Sequence, residues 1–567
     1  MIIAAANNAA NSMNTWILGA LIVIYVGIIG YLGWRGYRKT HNSGDYLLAG
    51  RKTNPFVMAM SYGAAFISTS ALVGFGGVAG MYGMGLLWLV FMNIAIGVVV
   101  AFIFFGRRTR SIGAALGANT FPDFIGKRYR SNGLKIFVAA IIFLFIPLYS
   151  SVVLIGGARF LEEVMHINYA WALGIFALVV AIYVIFGGLK GVMYVDALMG
   201  TVMICGMLLL LFLCYKELGG VIPAHQALTD MAGNPEVKAH MEAAVPGAYK
   251  TGFRGWTVMP EFNTVWWWTL VSSLMLGVGI GALAQPQLAV RFMTVKSNRE
   301  LNRAVLVGSV FILCTVGSAY TVGALSNVSF WKDRKELAIE VTREYDKDGK
   351  VVLDKKGNVK YNVDKIIPKY IEAKLPPIVL YLFALTMLSA AMSTMSSLFH
   401  VTGSSIGHDI VRTVSRSGKA SVAITRGGVI FGIIVSVVVA SLLPPNIVAR
   451  GTAIFFGVVA AAFLPAYAGA LYWKRATTAG VWVSVSVGLG ASLFGLLFLH
   501  KSESAMLGLC KLIFGKDCLI SAHPWPFVDP FIYALPLALV TLVVVSLLTK
   551  PMDGHFIERC FPVKKDK

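Results

Sequence analysis

Charged residues are scarce in this chain. Only 13% of its 567 residues are Asp, Glu, Lys or Arg, where a soluble domain carries about 25%. Acids are the scarcer sign, 27 against 49 basic residues, for a net charge of +22. Such an excess can mark a nucleic-acid partner, but here the basic residues do not gather in one patch. They recur between long apolar runs, and 57% of all residues are hydrophobic. The pattern is that of a polytopic membrane protein with basic loops, in contact with a lipid bilayer and with no nucleic acid.

Cysteine is sparse too. Cys205, Cys214 and Cys314 lie in apolar runs and Cys560 in the tail, which leaves Cys510 and Cys518, in one hydrophilic loop, as the pair able to form a disulfide. Their spacing matches no zinc pattern. The N-terminal MIIAAANNAANSMN lacks the basic n-region of a cleavable signal. Kinase, nucleotide-binding, nucleophile-elbow and HExxH signatures are missing, and His400 and His408 have no metal partner at useful spacing, so a membrane enzyme is not expected.

What remains is apolar length. Runs of about 20 residues fall near 15–34, 54–82, 85–106, 134–160, 169–188, 194–215, 265–290, 303–327, 376–407, 422–443, 451–473, 477–499 and 529–549, which is 13 spans. The loops at 33–52, 106–135, 291–303 and 408–419 and the tail 550–567 are basic. All fall on one side if the chain crosses 13 times, and that side is the cytoplasm. The N-terminus is then outside and the C-terminus inside, in the cell membrane. The expected organisation is an extra helix (15–34), a five-helix unit (54–215), an external loop (216–262), a second five-helix unit (265–473) with an external insertion (328–375), two last helices (477–549) and the tail. Turn signals predict a small hairpin at 346–359, and 364–377 a short surface helix.

Residues 390–398 read AAMSTMSSL. At helical spacing Ala390, Ser393, Thr394 and Ser397 form one stripe, with Ser396 beside it. Helix packing by small residues accounts for such a stripe. So does a monovalent cation site, since hydroxyls supply oxygens without fixed charge. A cation site also needs freed carbonyls on an interrupted neighbour. Residues 61–85 supply a candidate: Gly63, Gly74, Gly76, Gly77, Gly80, Gly83 and Gly85 accompany Ser68, Thr69 and Ser70. A second interruption is expected at GVGIGALAQPQ (277–287), in the corresponding position of the second unit. Paired interruptions point to a transporter binding site. Asp196 lies just inside the cytoplasmic start of its span. It reads either as a helix-capping carboxylate or as a functional one.

These segments resemble the sodium:solute symporters. AAFIS (64–68) is similar to that family's first core helix, YVIFGGLKGVMYVD (183–196) to its fifth, GALAQPQLAVRFMTVKS (281–297) to the end of its sixth, and LPPIVLYLFALTMLSAAMSTMSSL (375–398) to its eighth. The resemblance covers roughly 15–475. It implies an all-α, leucine-transporter-like 5+5 inverted repeat with discontinuous core helices 1 and 6. It implies a first Na+ held by Ala64, Ile67, Ala390, Ser393 and Thr394, and a second by Asp196, Ser393, Ser396 and Ser397. The family often has Thr-Asp followed three residues later by Gln, where this chain has Val195, Asp196 and Met199.

The function so implied is sodium-coupled symport of a small organic solute by alternating access. Phe66, Ala71 and LLWLVF (86–91) make the expected pocket small and apolar, which disfavours sugars. Arg159 and Arg291 are placed near span ends, with no arginine mid-membrane. A small monocarboxylate or an amino acid such as proline is expected, lined by Ser68, Thr69, Ser70, Tyr149, Ser150, Trp268, Ser272 and Ser273. The alternatives are a non-transporting sensor or scaffold that keeps the fold, and a proton-coupled symporter. A channel would require a filter loop or a polar ring, and the sequence shows neither.

Overall fold

A computed structural model describes residues 15–165, 167–346, 349–353, 357–415, 422–443 and 448–561. The N-terminal segment, parts of the expected hairpin and of the 408–419 loop, and the end of the tail lie outside the described residues. Among the described residues, eleven helices are long and apolar enough to cross a membrane. Two of these are interrupted at glycine: Ser70–Ala115 at Gly83 and Tyr169–Glu217 at Gly188, where φ is +67 and +56. An L side chain rarely adopts such a φ. At Gly83 space forbids one as well, because a Cβ would lie 2.0 Å from the Trp256 carbonyl oxygen. Gly83→Ala should therefore destabilise the protein by more than about 1 kcal/mol, read as a lower midpoint in a thermal scan in detergent.

Outward faces of the long helices are rich in exposed Leu, Ile, Val and Phe, as lipid contact requires, while one large apolar cluster joins their inner faces. Small residues set the closest approaches. A Cβ on Gly323 would lie 1.9 Å from the Gly76 carbonyl oxygen, and one on Gly488 2.1 Å from that of Ala461. Such contacts replace the hydrophobic drive that lipid cannot supply between helices.

The first core helix runs Pro55–Phe66, stops, and resumes as a wide π-type turn, Ser70–Gly74, followed by Phe75–Tyr82. Asn54 caps its start by accepting from the Phe56 N–H. The sixth core helix runs from Val265 to Ala284, and a separate helix, Pro286–Phe292, follows it. Gln285, with ψ 116, is the joint. Pro286 has no N–H to return to the preceding turn, so the helix must restart there.

Outside the bundle, the insertion folds as predicted in outline. Antiparallel bridges pair Arg343 with Tyr361, Tyr345 with Val351 and Leu353 with Val359. The surface helix is Ile366–Lys374. The Cys510–Cys518 pairing is not formed: both thiols are free and buried, and the Cys518 Sγ turns to the Ile520 carbonyl at 3.4 Å. Alkylation of the denatured protein without reductant should label both cysteines, and mass spectrometry would show it.

Candidate functional site

The interruption of the first core helix lies against the serine stripe of the eighth, Pro377–Ser404. Ile67 is extended, with φ −94 and ψ 104, so the helical ladder ends there. The carbonyls released by the break turn to the eighth helix. Ser393 Oγ donates to the Ala64 carbonyl at 2.8 Å and lies 3.3 Å from that of Ala390. Thr394 Oγ1 is 3.4 Å from the carbonyls of both Ala64 and Ala65. Ala64, Ala390, Ser393 and Thr394 are all fully buried. Four of the five residues expected around the first ion thus share one cluster of neutral oxygens, the donor set a sodium ion takes. Ala65 was not among the residues expected there, and Ile67 supplies the extended turn that frees the others.

Beside this cluster sits an ion pair. Arg291, expected near a span end, is 1% exposed, and its Nη2 donates to Asp196 Oδ2 at 2.9 Å. It also donates to Ser397 Oγ at 2.6 Å, Ser61 Oγ at 2.9 Å and the Gln287 carbonyl at 2.6 Å. Ser61 Oγ donates to the same Oδ2 at 2.8 Å, and Ser396 Oγ to Oδ1 at 3.1 Å. Asp196, Ser393, Ser396 and Ser397 are therefore together, but with a guanidinium among them. The signal was in the sequence: Arg291 lies five residues beyond Pro286, in the last turn of the helix that restarts there.

Among the expected solute contacts, Ser68 and Tyr149 come together. The Tyr149 hydroxyl faces Ser68 and Thr452, and its ring stacks on Phe455 with centroids 4.5 Å apart. Thr69 and Ser70 are buried with hydroxyls that have no partner. The other four are engaged elsewhere. Ser150 bonds the Ile146 carbonyl and Ser436. Trp268 donates to Asn263. Ser272 bonds the Trp268 carbonyl and accepts from the Asp529 N–H, and Ser273 faces the Asp529 side chain. These contacts tie the helix Asn132–Met165 to Val422–Leu442, and the sixth core helix to the start of Phe531–Leu548, which is packing that spacing alone could not reveal.

Asn93 escaped the sequence reading. It is 2% exposed and its Oδ1 has no partner. One helical turn on, Gly97 faces both interruptions: a Cβ there would lie 3.1 Å from Phe66 and 3.5 Å from Ala282. A polar residue inside the long apolar run 86–106 is the sign that could have found it. Phe66 stacks on Phe456 of the tenth core helix, which closes this region with aromatic surface.

Comparison with known proteins gives the family and the fold. The model of the sodium:solute symporter family matches residues 46–488. The chain is 27% identical over 523 residues to the osmoregulated proline transporter OpuE of Bacillus subtilis, covering 91% of this chain and 92% of that one. It is 28% identical over 489 residues to the sodium/pantothenate symporter of Haemophilus influenzae, covering 84% and 90%. The fold is that of a Na+-coupled sialic acid symporter solved in a substrate-bound outward-open state, with TM-score 0.66 and 16% identity over 95% of this chain and 99% of that one. The chain belongs to the sodium:solute symporter family.

Proposed function

We propose that this protein carries a small carboxylate-bearing solute, a monocarboxylate or an amino acid such as proline, into the cell with sodium. The observation that carries the reading is the seating of Ser393 and Thr394 on the carbonyls of Ala64 and Ala65. Sodium entering that cluster would fix the first core helix against the eighth and so bias the equilibrium between outward and inward states. Relatives named for proline and for pantothenate both handle carboxylates. The solute site is the pair of interruptions, with Ser68, Thr69, Ser70, Tyr149 and Asn93 as its polar contacts. Backbone N–H groups freed at the breaks would hold the carboxylate. The chain crosses the membrane 13 times, in two five-helix repeats between one extra helix and two last ones, with its N-terminus outside.

A second ion shares Asp196 with Arg291. One carboxylate balances one cation, so sodium enters among Asp196, Ser393, Ser396 and Ser397 when the guanidinium withdraws. The test of the whole reading is equilibrium binding of radioactive sodium to purified protein. Saturable binding is expected. Its absence would overturn sodium coupling and turn attention to a proton gradient.

A further inference from the structure

Residues 500–527 join two spans, Thr478–Leu499 and Phe531–Leu548, at the end of the bundle that bears the insertion. His523 Nε2 donates to the carbonyl of Asn263, where the loop 216–262 ends, and His240 of that loop bonds Glu340 of the insertion. The segment holds two short helices, Lys501–Leu507 and Leu509–Phe514, parted by Gly508 at φ +71. It is fastened to the span it leaves. Ser504 Oγ donates to the Leu497 carbonyl at 2.7 Å, and the Leu519 N–H to that of Phe498 at 2.8 Å. Glu503, Cys510 and Cys518 are buried beneath it.

Its outer surface is apolar where a loop in water would be polar. Met506, Leu507, Leu512, Ile513 and Phe514 are exposed, Leu512 by 83%. A contiguous surface of this kind marks a contact with something apolar. The chain connections keep it at the level where the spans end. Aromatic rings also make it continuous with the surface that faces lipid: Phe514 is 6.0 Å from Phe498, which is 5.2 Å from Phe494, itself exposed on its span. Lys501, Lys511 and Lys516 are interleaved with these residues and exposed, and among the described residues none of the three has an ion pair. Of the two acids in the segment, Glu503 is turned inward to Arg450 and His500, and Asp517 is exposed. Apolar side chains rimmed by lysine are the pattern of a helix lying in a lipid interface, with ammonium groups reaching the phosphates.

We propose that this segment is a foot resting in the bilayer surface, with its apolar residues among acyl chains and its three lysines on the headgroups of anionic phospholipid. The foot also reaches the solute region. Arg450, which Glu503 holds, begins the span Arg450–Tyr472. That span carries Phe455 against Tyr149 and Phe456 against Phe66. Lipid held at this edge is thereby tied to the helix that closes the interrupted core.

The test needs no identified solute. A nitroxide is attached at Leu512→Cys, and in a second protein at Phe514→Cys, in a chain carrying Cys205→Ser and Cys314→Ser, whose four other cysteines are buried. Lys350→Cys, exposed on the insertion, serves as the water reference. The full chain is placed in phosphatidylcholine vesicles with and without phosphatidylglycerol. Collision of the label with oxygen, which concentrates in lipid, is compared with collision with a water-soluble nickel chelate. The oxygen-to-nickel ratio at both foot positions should be several-fold above that at Lys350→Cys. Phosphatidylglycerol should raise it further at low salt, and that rise should vanish at high salt and with Lys501→Gln, Lys511→Gln and Lys516→Gln together. A ratio equal to the water reference at both positions would overturn the foot. A high ratio indifferent to phosphatidylglycerol would overturn the anionic headgroup site. Broadening between labels that disappears on mixing with unlabelled protein would assign the face to a second copy of the chain and overturn the lipid contact.

Discussion

Ser393→Ala should abolish sodium-driven uptake while leaving the protein folded. The Ser393 hydroxyl bridges the two helices that form the first site, at 2.8 Å from the Ala64 carbonyl and 3.3 Å from that of Ala390. Its removal takes away one of few oxygens available to an ion that has no carboxylate in its cluster. The change to alanine deletes one small polar group from a close-packed position, so the packing cost is on the order of 1 kcal/mol. The coupling cost is larger in effect. One sodium moving through ~100 mV gains about 2.3 kcal/mol, and a tenfold concentration ratio adds about 1.4 kcal/mol. Both are lost if the ion does not bind. We expect uptake in proteoliposomes to fall to the rate without a sodium gradient, and thermal stability in sodium-free buffer to change little. Uptake that still follows the sodium gradient would remove Ser393 from the site.

Thr394→Ala offers a graded comparison. Its hydroxyl is 3.4 Å from each of two carbonyls, farther than Ser393 is from Ala64. The ion would draw Thr394 in, so the effect should appear as a weakened sodium affinity.

Much of this was legible in the sequence because membrane insertion writes a coarse code. Length and hydropathy mark helices, and glycine, proline and serine mark where a helix is broken or closely approached. The interruption after Phe66 and the joint at Gln285 both fall in the glycine-rich and Gln-Pro segments that predict them. Side-chain direction was not legible. Ser272 and Ser273 lie in the correct helix but meet Asp529, more than 250 residues onward in the chain. Nothing local to a helix says which face a loop so distant will cover. Asn93 was missed because hydropathy averages over a turn, and six apolar neighbours hide one amide. The burial of Arg291 was missed for a related reason. Distance from the end of an apolar run measures depth along a straight helix, and Pro286 makes this one restart inside the protein.

Arg291 therefore carries the second large prediction. Removing either member of its ion pair strands the other. Arg291→Gln leaves Asp196 fully buried beside Ser61 and Ser396, and Asp196→Asn leaves a guanidinium 1% exposed. Breaking a buried pair in this way costs about 3–5 kcal/mol. The two single variants should nevertheless differ. A sodium ion can answer a stranded carboxylate but not a stranded guanidinium. In Arg291→Gln, sodium should restore stability with the logarithmic dependence of a bound ligand, and the sodium titration should gain sites relative to the parent. In Asp196→Asn, stability should fall without sodium rescue, and the Hill coefficient or apparent affinity for sodium should drop. The double variant removes both charges, so it should be more stable than either single one and show only the sodium dependence of the first site. Thermal scans of the four proteins across a sodium series, with choline holding ionic strength constant, read all of this. If Arg291→Gln shows no sodium rescue beyond that of the parent, Asp196 does not exchange its guanidinium for an ion. Coupling then rests on one sodium, at about 3.7 kcal/mol rather than about 7 kcal/mol per cycle.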